Sequence, residues 1–181
     1  IAAAQTKVLA SLGVTLPTGS SLLTYDPLAV SSDSATAWAT AVAVQKVAAQ
    51  VANTIQVLAS AATGTDTSMS NATAGMAALT ALASTVSAGT TIDLSTSASI
   101  SSIGSTMTNT LVSAGTWTAA NGALVSGQVT AAASSLATIN TAIKNISATT
   151  GSTASVWANV AATQKVAQST LTTAIKTSSQ G

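Results

Sequence analysis

The chain has 181 residues, 47% of them hydrophobic and only 5% charged, with a formal net charge of +1; charged residues usually make up roughly 25%. It contains no His, Cys, Arg or Glu, which excludes Ser-His-Asp and Cys-His catalytic sets, His/Cys metal sites and disulfides. Lys7, Lys46, Lys144, Lys165 and Lys176 are too scattered for a phosphate-neutralising patch, so no nucleic-acid partner is expected.

In chain order, residues 1–33 read as an N-terminal arm and 34–181 as a helical core, together one domain. Ala2 to Leu12 suits a short opening helix. Gly13 to Ser32 holds both prolines and reads as one long connector laid over the rest. Its expected anchors are Leu16, Leu22, Leu23, Tyr25 and Leu28, with Tyr25-Asp26-Pro27 as a turn.

A helix is expected from about Ser34 to Ala62, capped by Asp33 and stopped by Gly64. Val44, Val47, Val51, Ile55 and Leu58 form its apolar stripe; Gln45, Lys46, Gln50, Asn53, Gln56 and Ser60 lie opposite. Ser68 to Ala88 carries Ala72, Met76, Leu79, Ala83 and Val86 at helical spacing, with Asp66 or Thr67 as cap and Gly89 as stop. Ser95 to Ala114 is a weaker helix on Ile100, Ile103, Met107 and Leu111, its propensity lowered by Gly104. From Asn121 to Ala148, Val125, Val129, Ala132, Leu136, Ile139, Ile143 and Ile146 alternate steps of four and three, leaving Asn140 off the stripe. The last helix, Ser152 to Thr177, carries Val156, Val160, Leu171 and Ile175. These stripes and short links predict an all-α bundle of five to six mostly antiparallel helices.

An internal echo relates the second and last helices: Trp38 to Ala48 resembles Trp157 to Ala167. Trp38 projects off its helix stripe on the side of Val42. The connector is the expected cover; left bare, Trp38 and Val42 would anchor a partner chain or a glycan. Trp117, between the fourth and fifth helices, is a hydrophobic plug or a surface contact. Trp38, Val42 and Trp117 are thus the candidate interface residues. Trp157 is expected in the core near Val160 and Ile175, and Lys46 and Lys165 on a solvated face. Asn71-Ala-Thr and Asn145-Ile-Ser match the glycosylation triplet, a weak signal in so hydroxyl-rich a chain.

Leu22-Leu-Thr-Tyr-Asp-Pro-Leu-Ala, followed by Val44-Gln-Lys-Val-Ala-Ala-Gln-Val-Ala-Asn, resembles the helical module of large, repetitive, calcium-dependent bacterial surface adhesins related to the RTX group. Gln164 to Gln168 is similar to that module's final helix. The resemblance spans roughly Leu9 to Ile175. It implies secretion, surface display, and a role in adhesion, biofilm matrix or cell-surface assembly. It supplies no catalytic residue. The chain departs from the pattern in Tyr25 where Phe is expected, in its few acids, and in lacking Asp/Gly-rich calcium nonapeptides.

Mean hydropathy is +0.51, but the most apolar stretch, Ala35 to Ala62, is interrupted by Gln45, Lys46, Gln50, Asn53 and Gln56. No membrane insertion is expected. Ile1 opens the chain without a visible signal peptide, as expected of a mature or excised piece. The expected function is a non-enzymatic, cofactor-free structural or adhesive module outside the cell, acting as a homo-oligomer, a polymer subunit or a neighbour of other domains. Two alternatives stand beside it. One is ice binding, which wants a repeated Thr interval that is not sustained here. The other is carriage of a hydrophobic small molecule within the bundle.

Overall fold

Small hydroxyls open the core helices. In the computed structural model, which describes residues 1–148 and 153–179, the chain is all-α, with no strand among the described residues. The helices are α1 (Ala2–Ser11), α2 (Ala35–Thr65), α3 (Asn71–Ser87), α4 (Ser97–Ser113), α5 (Ala119–Lys144), α6 (Thr153–Lys165) and α7 (Thr172–Ser179). A π-helical segment, Val166–Leu171, joins the last two into one rod. Ser34, Ser70, Thr96 and Thr118 cap α2 to α5, each side chain accepting the N–H three residues on. Such a cap contributes about 1 kcal/mol. The cap of α2 is therefore Ser34 rather than Asp33, whose carboxylate accepts the Ser31 hydroxyl. Gly89 (φ 76°) and Gly115 (φ 71°) take the left-handed conformation that ends α3 and α4. Gly64 does not stop α2; it sits buried inside the helix.

Contacts between ends fix the topology. Lys46, early in α2, donates to the carbonyl of Lys144 at the end of α5. Trp117, just before α5, donates to Asp66 just after α2. The two helices are antiparallel. Thr63 meets Asn71, while Val51 shares a cleft with Leu82 and Val86, so α3 also runs against α2. Asn140 reaches Leu94 at one end, and Gly122 abuts Val112 at the other, so α4 and α5 are antiparallel. Trp38 meets Trp157 in the first turns of α2 and α6, and Lys176 reaches Asn71 at the far end. The α6–α7 rod therefore runs parallel to α2.

Helix α2 is the axis of the bundle, with α3, α5, α6 and α7 packed around it. Val57, Leu58, Ala59, Ser60, Ala61 and Ala62 are buried in succession, which a one-sided helix cannot do. This corrects the expected polar face: Gln50, Asn53 and Ser60 are buried, at 6%, 0% and 1% exposure. Gln50 donates to the Asn140 carbonyl (2.8 Å), Asn53 to the Asn140 side-chain oxygen (3.2 Å), and Asn140 to the Leu94 carbonyl (2.8 Å). Asn140 is thus interior as well, because the expected solvent side of α5 meets α2 and the start of α4. Ser60 returns its hydroxyl to its own helix at Gln56.

The α4 stripe lies in the core as expected: Ile100, Ile103, Met107 and Leu111 are all buried. On α5, Val125, Val129, Ala132, Leu136 and Ile143 are buried, with Ile139 half-buried. The α3 stripe is displaced. Of the expected stripe Val86 alone is buried, together with Ala74, Ala78, Ala81 and Leu82, while Ala72, Met76, Leu79 and Ala83 are exposed, the last two at the rim of the cleft between α1 and α3. Both sets share the helical spacing, and alanines on each make their hydrophobicity nearly equal. In the last rod, the buried positions step from Ala167 to Thr172 to Ile175, and Leu171 is half-buried. The five-residue step is the π segment, whose wider turn rotates the inward face by one residue.

The arm is lightly held. Ser11 is its one buried residue through Ser34, and Leu23 and Leu28 are 74% and 59% exposed rather than anchoring. Leu16, Leu22 and Tyr25 are half-buried. Asp26 does form the expected turn, accepting the Leu28 N–H at 2.9 Å. The arm is tied to the bundle by the Ser11 carbonyl, which accepts the Ile92 N–H at 2.7 Å, by Lys7, and by Val8 and Leu12 packed on the core.

Candidate functional site

Two of the three tryptophans are buried and Trp157 is half-buried. Trp38 is 6% exposed, Val42 1% and Trp117 4%, so the three candidate interface residues present no surface patch. Trp38 and Val42 pack with Val156, Trp157, Ile146 and Ala148. The cover is thus α6 and the segment after α5, not the connector. Trp38 and Trp157, the paired positions of the internal echo, meet edge to face with ring centroids 5.0 Å apart and planes at 64°. The Trp38 indole N–H donates to the Ala148 carbonyl at 2.6 Å. Trp157, expected in the core near Val160 and Ile175, is half-buried and packs with Trp38; Val160 packs on Ala49 and Ile143. Trp117 is a plug, its indole N–H bound to Asp66 at 3.1 Å.

The acids are occupied by local structure. Asp26, Asp66 and Asp93 each accept the N–H two residues on, the turn role their short carboxylates favour. Hydrogen bonds hold the Asp66 carboxyl below its ordinary range, that from the Ser68 hydroxyl most of all. Asp93 is held at about 2, chiefly by its 2.8 Å bond from Lys144 and then by Ser95. No group of three or more candidate metal-ligating side chains occurs among the described residues.

Two of the lysines cap carbonyls. Lys7 donates to the Ser87 carbonyl and Lys46 to that of Lys144, at the ends of α3 and α5, where the helix dipole favours a cation. Lys165 is on the surface as expected, but Lys46 is half-buried, and desolvation lowers its pKa. Of the triplet asparagines, Asn71 starts α3 and accepts from Lys176, and Asn145 ends α5.

Most of what faces solvent is uncharged, with Lys7, Asp26, Asp33, Lys144 and Lys165 as scattered exposed charges. Thr110, Thr130, Thr138 and Thr177 each donate their hydroxyl to the carbonyl four residues back in their own helix. Their donors are satisfied without water, and their methyl groups complete the outer face. On α3, Met76 (62%) and Leu79 (44%) are exposed, as are Ala72 and Ala83. No charged residue occurs between Asn71 and Ser87. A cleft of about 370 Å³ opens between the end of α1, the first half of α2, residues 91–94 and the end of α5. It holds Lys46, Asp93 and Lys144 beside apolar walls. Sequence reasoning missed it because its charged residues are distant in the chain and its walls come from four segments.

No helix among the described residues is long and apolar enough to cross a membrane. No family model, no curated protein and no solved structure matches the chain.

Proposed function

We propose that the chain is a non-catalytic structural module, a helical building block of an extracellular adhesin, filament or sheath, that works by packing against copies of itself or neighbouring domains. The observation that carries this reading is the exposed side of α3: Met76 (62% exposed) and Leu79 (44%) stand one turn apart on a helix with no charged residue, Leu79 and Ala83 forming the rim of the cleft between α1 and α3. Adjoining exposed apolar side chains are the kind of surface that protein–protein contacts use.

Two features support it. Exposed threonines bound to their own helix lose little when water is withdrawn, because burying them strands no donor. A net charge of +1 brings almost no long-range repulsion between copies. The resemblance of the Tyr25-Asp26-Pro27 turn and the α2 sequence to surface-adhesin modules gives the same reading an extracellular setting.

Sedimentation velocity over a wide concentration range tests it. The chain should associate as concentration rises. Met76→Lys with Leu79→Lys should shift association to at least tenfold higher concentration, with helicity unchanged. A strict monomer throughout, or association indifferent to both lysines, overturns the reading.

A further inference from the structure

The cleft beside α1 contains an electrostatic imbalance. Lys46 and Lys144 line it against one acid, Asp93. Asp93 is already committed to Lys144 at 2.8 Å. Among the described residues the Lys46 ammonium has only the Lys144 main-chain carbonyl, at 3.0 Å, and takes part in no ion pair. A half-buried cation facing only a neutral acceptor is under-compensated, and an arriving anion gains more from it than from a solvated lysine.

The walls limit what that anion can be. Leu12, Val47, Ile92 and Leu94 give the cleft an apolar surface that a bare inorganic ion cannot use. Its volume of about 370 Å³ lies within the range of small-molecule sites, roughly 300–1,000 Å³. Leu12 and Val47 also wall a second, almost wholly apolar cleft of about 150 Å³ beneath α1. We propose that the first cleft binds a small organic carboxylate, its anionic head on Lys46 and its aliphatic or aromatic body against Leu12, Val47, Ile92 and Leu94.

The site is independent of the α3 face and stands or falls separately from self-association. A neutral ligand of the same shape leaves Lys46 as it is, and an amine places like charge beside it. Selectivity among head groups is therefore the signature.

The test titrates the full chain with octanoate, octanol, octylamine and acetate, read by calorimetry. Tryptophan fluorescence is a second readout, since Trp38 bonds to Ala148, which lines the cleft. Octanoate should bind saturably with one site per chain, and the other three at least tenfold more weakly. Lys46→Met should weaken octanoate about tenfold or more, as loss of one charge-assisted hydrogen bond implies, and Lys46→Arg should retain it. Ala43→Phe, which crowds the cleft with the lysine in place, should block binding; it also serves if Lys46→Met fails to fold by circular dichroism. Absence of saturable octanoate binding, equal binding of octanol or acetate, or undiminished binding by Lys46→Met or Ala43→Phe would each overturn the proposal.

Discussion

Replacing Gly104 by Ala should destabilise the protein, although the same change in an exposed helix interior stabilises. Helix propensity alone favours Ala over Gly by about 1 kcal/mol. At Gly104, however, an added Cβ would lie 2.4 Å from one Val129 methyl carbon and 3.2 Å from both the Val129 Cβ and a Leu58 methyl carbon. Carbon pairs rest at about 3.5–4.0 Å, so the closest contact is short by about 1 Å. Val129 is 2% exposed and Leu58 0%, and a valine is stiff at χ1. The neighbours cannot yield without moving α4 away from α5 and α2. Overpacking of this kind costs about 1–3 kcal/mol, and so tight a contact belongs to the upper half of that range. The net expectation is a loss of about 1–2 kcal/mol, or a melting temperature lower by about 2–8 °C for a chain of this size. Gly127 is the internal control, since a Cβ there meets nothing within 4 Å; Gly127→Ala should gain about 0.5–1 kcal/mol. Urea denaturation followed by circular dichroism reads both. Adding Val129→Ala removes the clashing methyl, so the double variant should lose less than the sum of the single losses by more than about 0.5 kcal/mol. A Gly104→Ala protein as stable as the parent would refute the proposed close approach of α4.

The other expectations concern polar and aromatic contacts. Asn140→Leu leaves the Leu94 carbonyl and the Asn53 amide without their partner, costing about 1–3 kcal/mol for each group stranded; an unchanged denaturation midpoint would contradict this. Trp38→Phe keeps the packing against Trp157 but removes the 2.6 Å bond to Ala148, for a loss of about 1 kcal/mol in the same assay. Because the folded pKa of Asp93 is depressed to about 2, its contribution is present above the unfolded value near 3.8 and is lost as pH falls through about 2. Its side chain is 45% exposed, so screening holds that contribution to about 0.5–1 kcal/mol. Asp93→Asn should flatten the acid limb of a stability-versus-pH curve by that amount, and an identical limb would disprove the assignment.

The sequence speaks most clearly where a helix has one apolar face of large side chains. Ile100, Ile103, Met107 and Leu111 specify α4, and the alternating spacing from Val125 to Ile143 specifies α5. It speaks least where alanine dominates. On α3, Ala72-Met76-Leu79-Ala83 and Ala74-Ala78-Ala81-Leu82 obey the same period, and only the placement of α2 and α4 decides which is buried. On α2, Gln50, Asn53 and Ser60 look like a solvent face because polarity is visible in sequence while partners are not. Gln50 and Asn53 find theirs on Asn140, roughly ninety residues away. Trp38 is covered by a helix that begins more than a hundred residues later. The Lys46 cleft has no linear signature at all, since it exists only once α1, α2 and α5 converge.

The π segment from Val166 to Leu171 has a further consequence. A wide turn in an otherwise regular helix amounts to one surplus residue stored without breaking the rod. Excision of Gln168 should let the wide turn close into ordinary geometry while Val156, Val160 and Ile175 keep their inward orientation. The same excision inside α5 would throw every later side chain off its seat. Changes in chain length are therefore tolerated unevenly along this bundle, and its last rod is where a deletion does least harm.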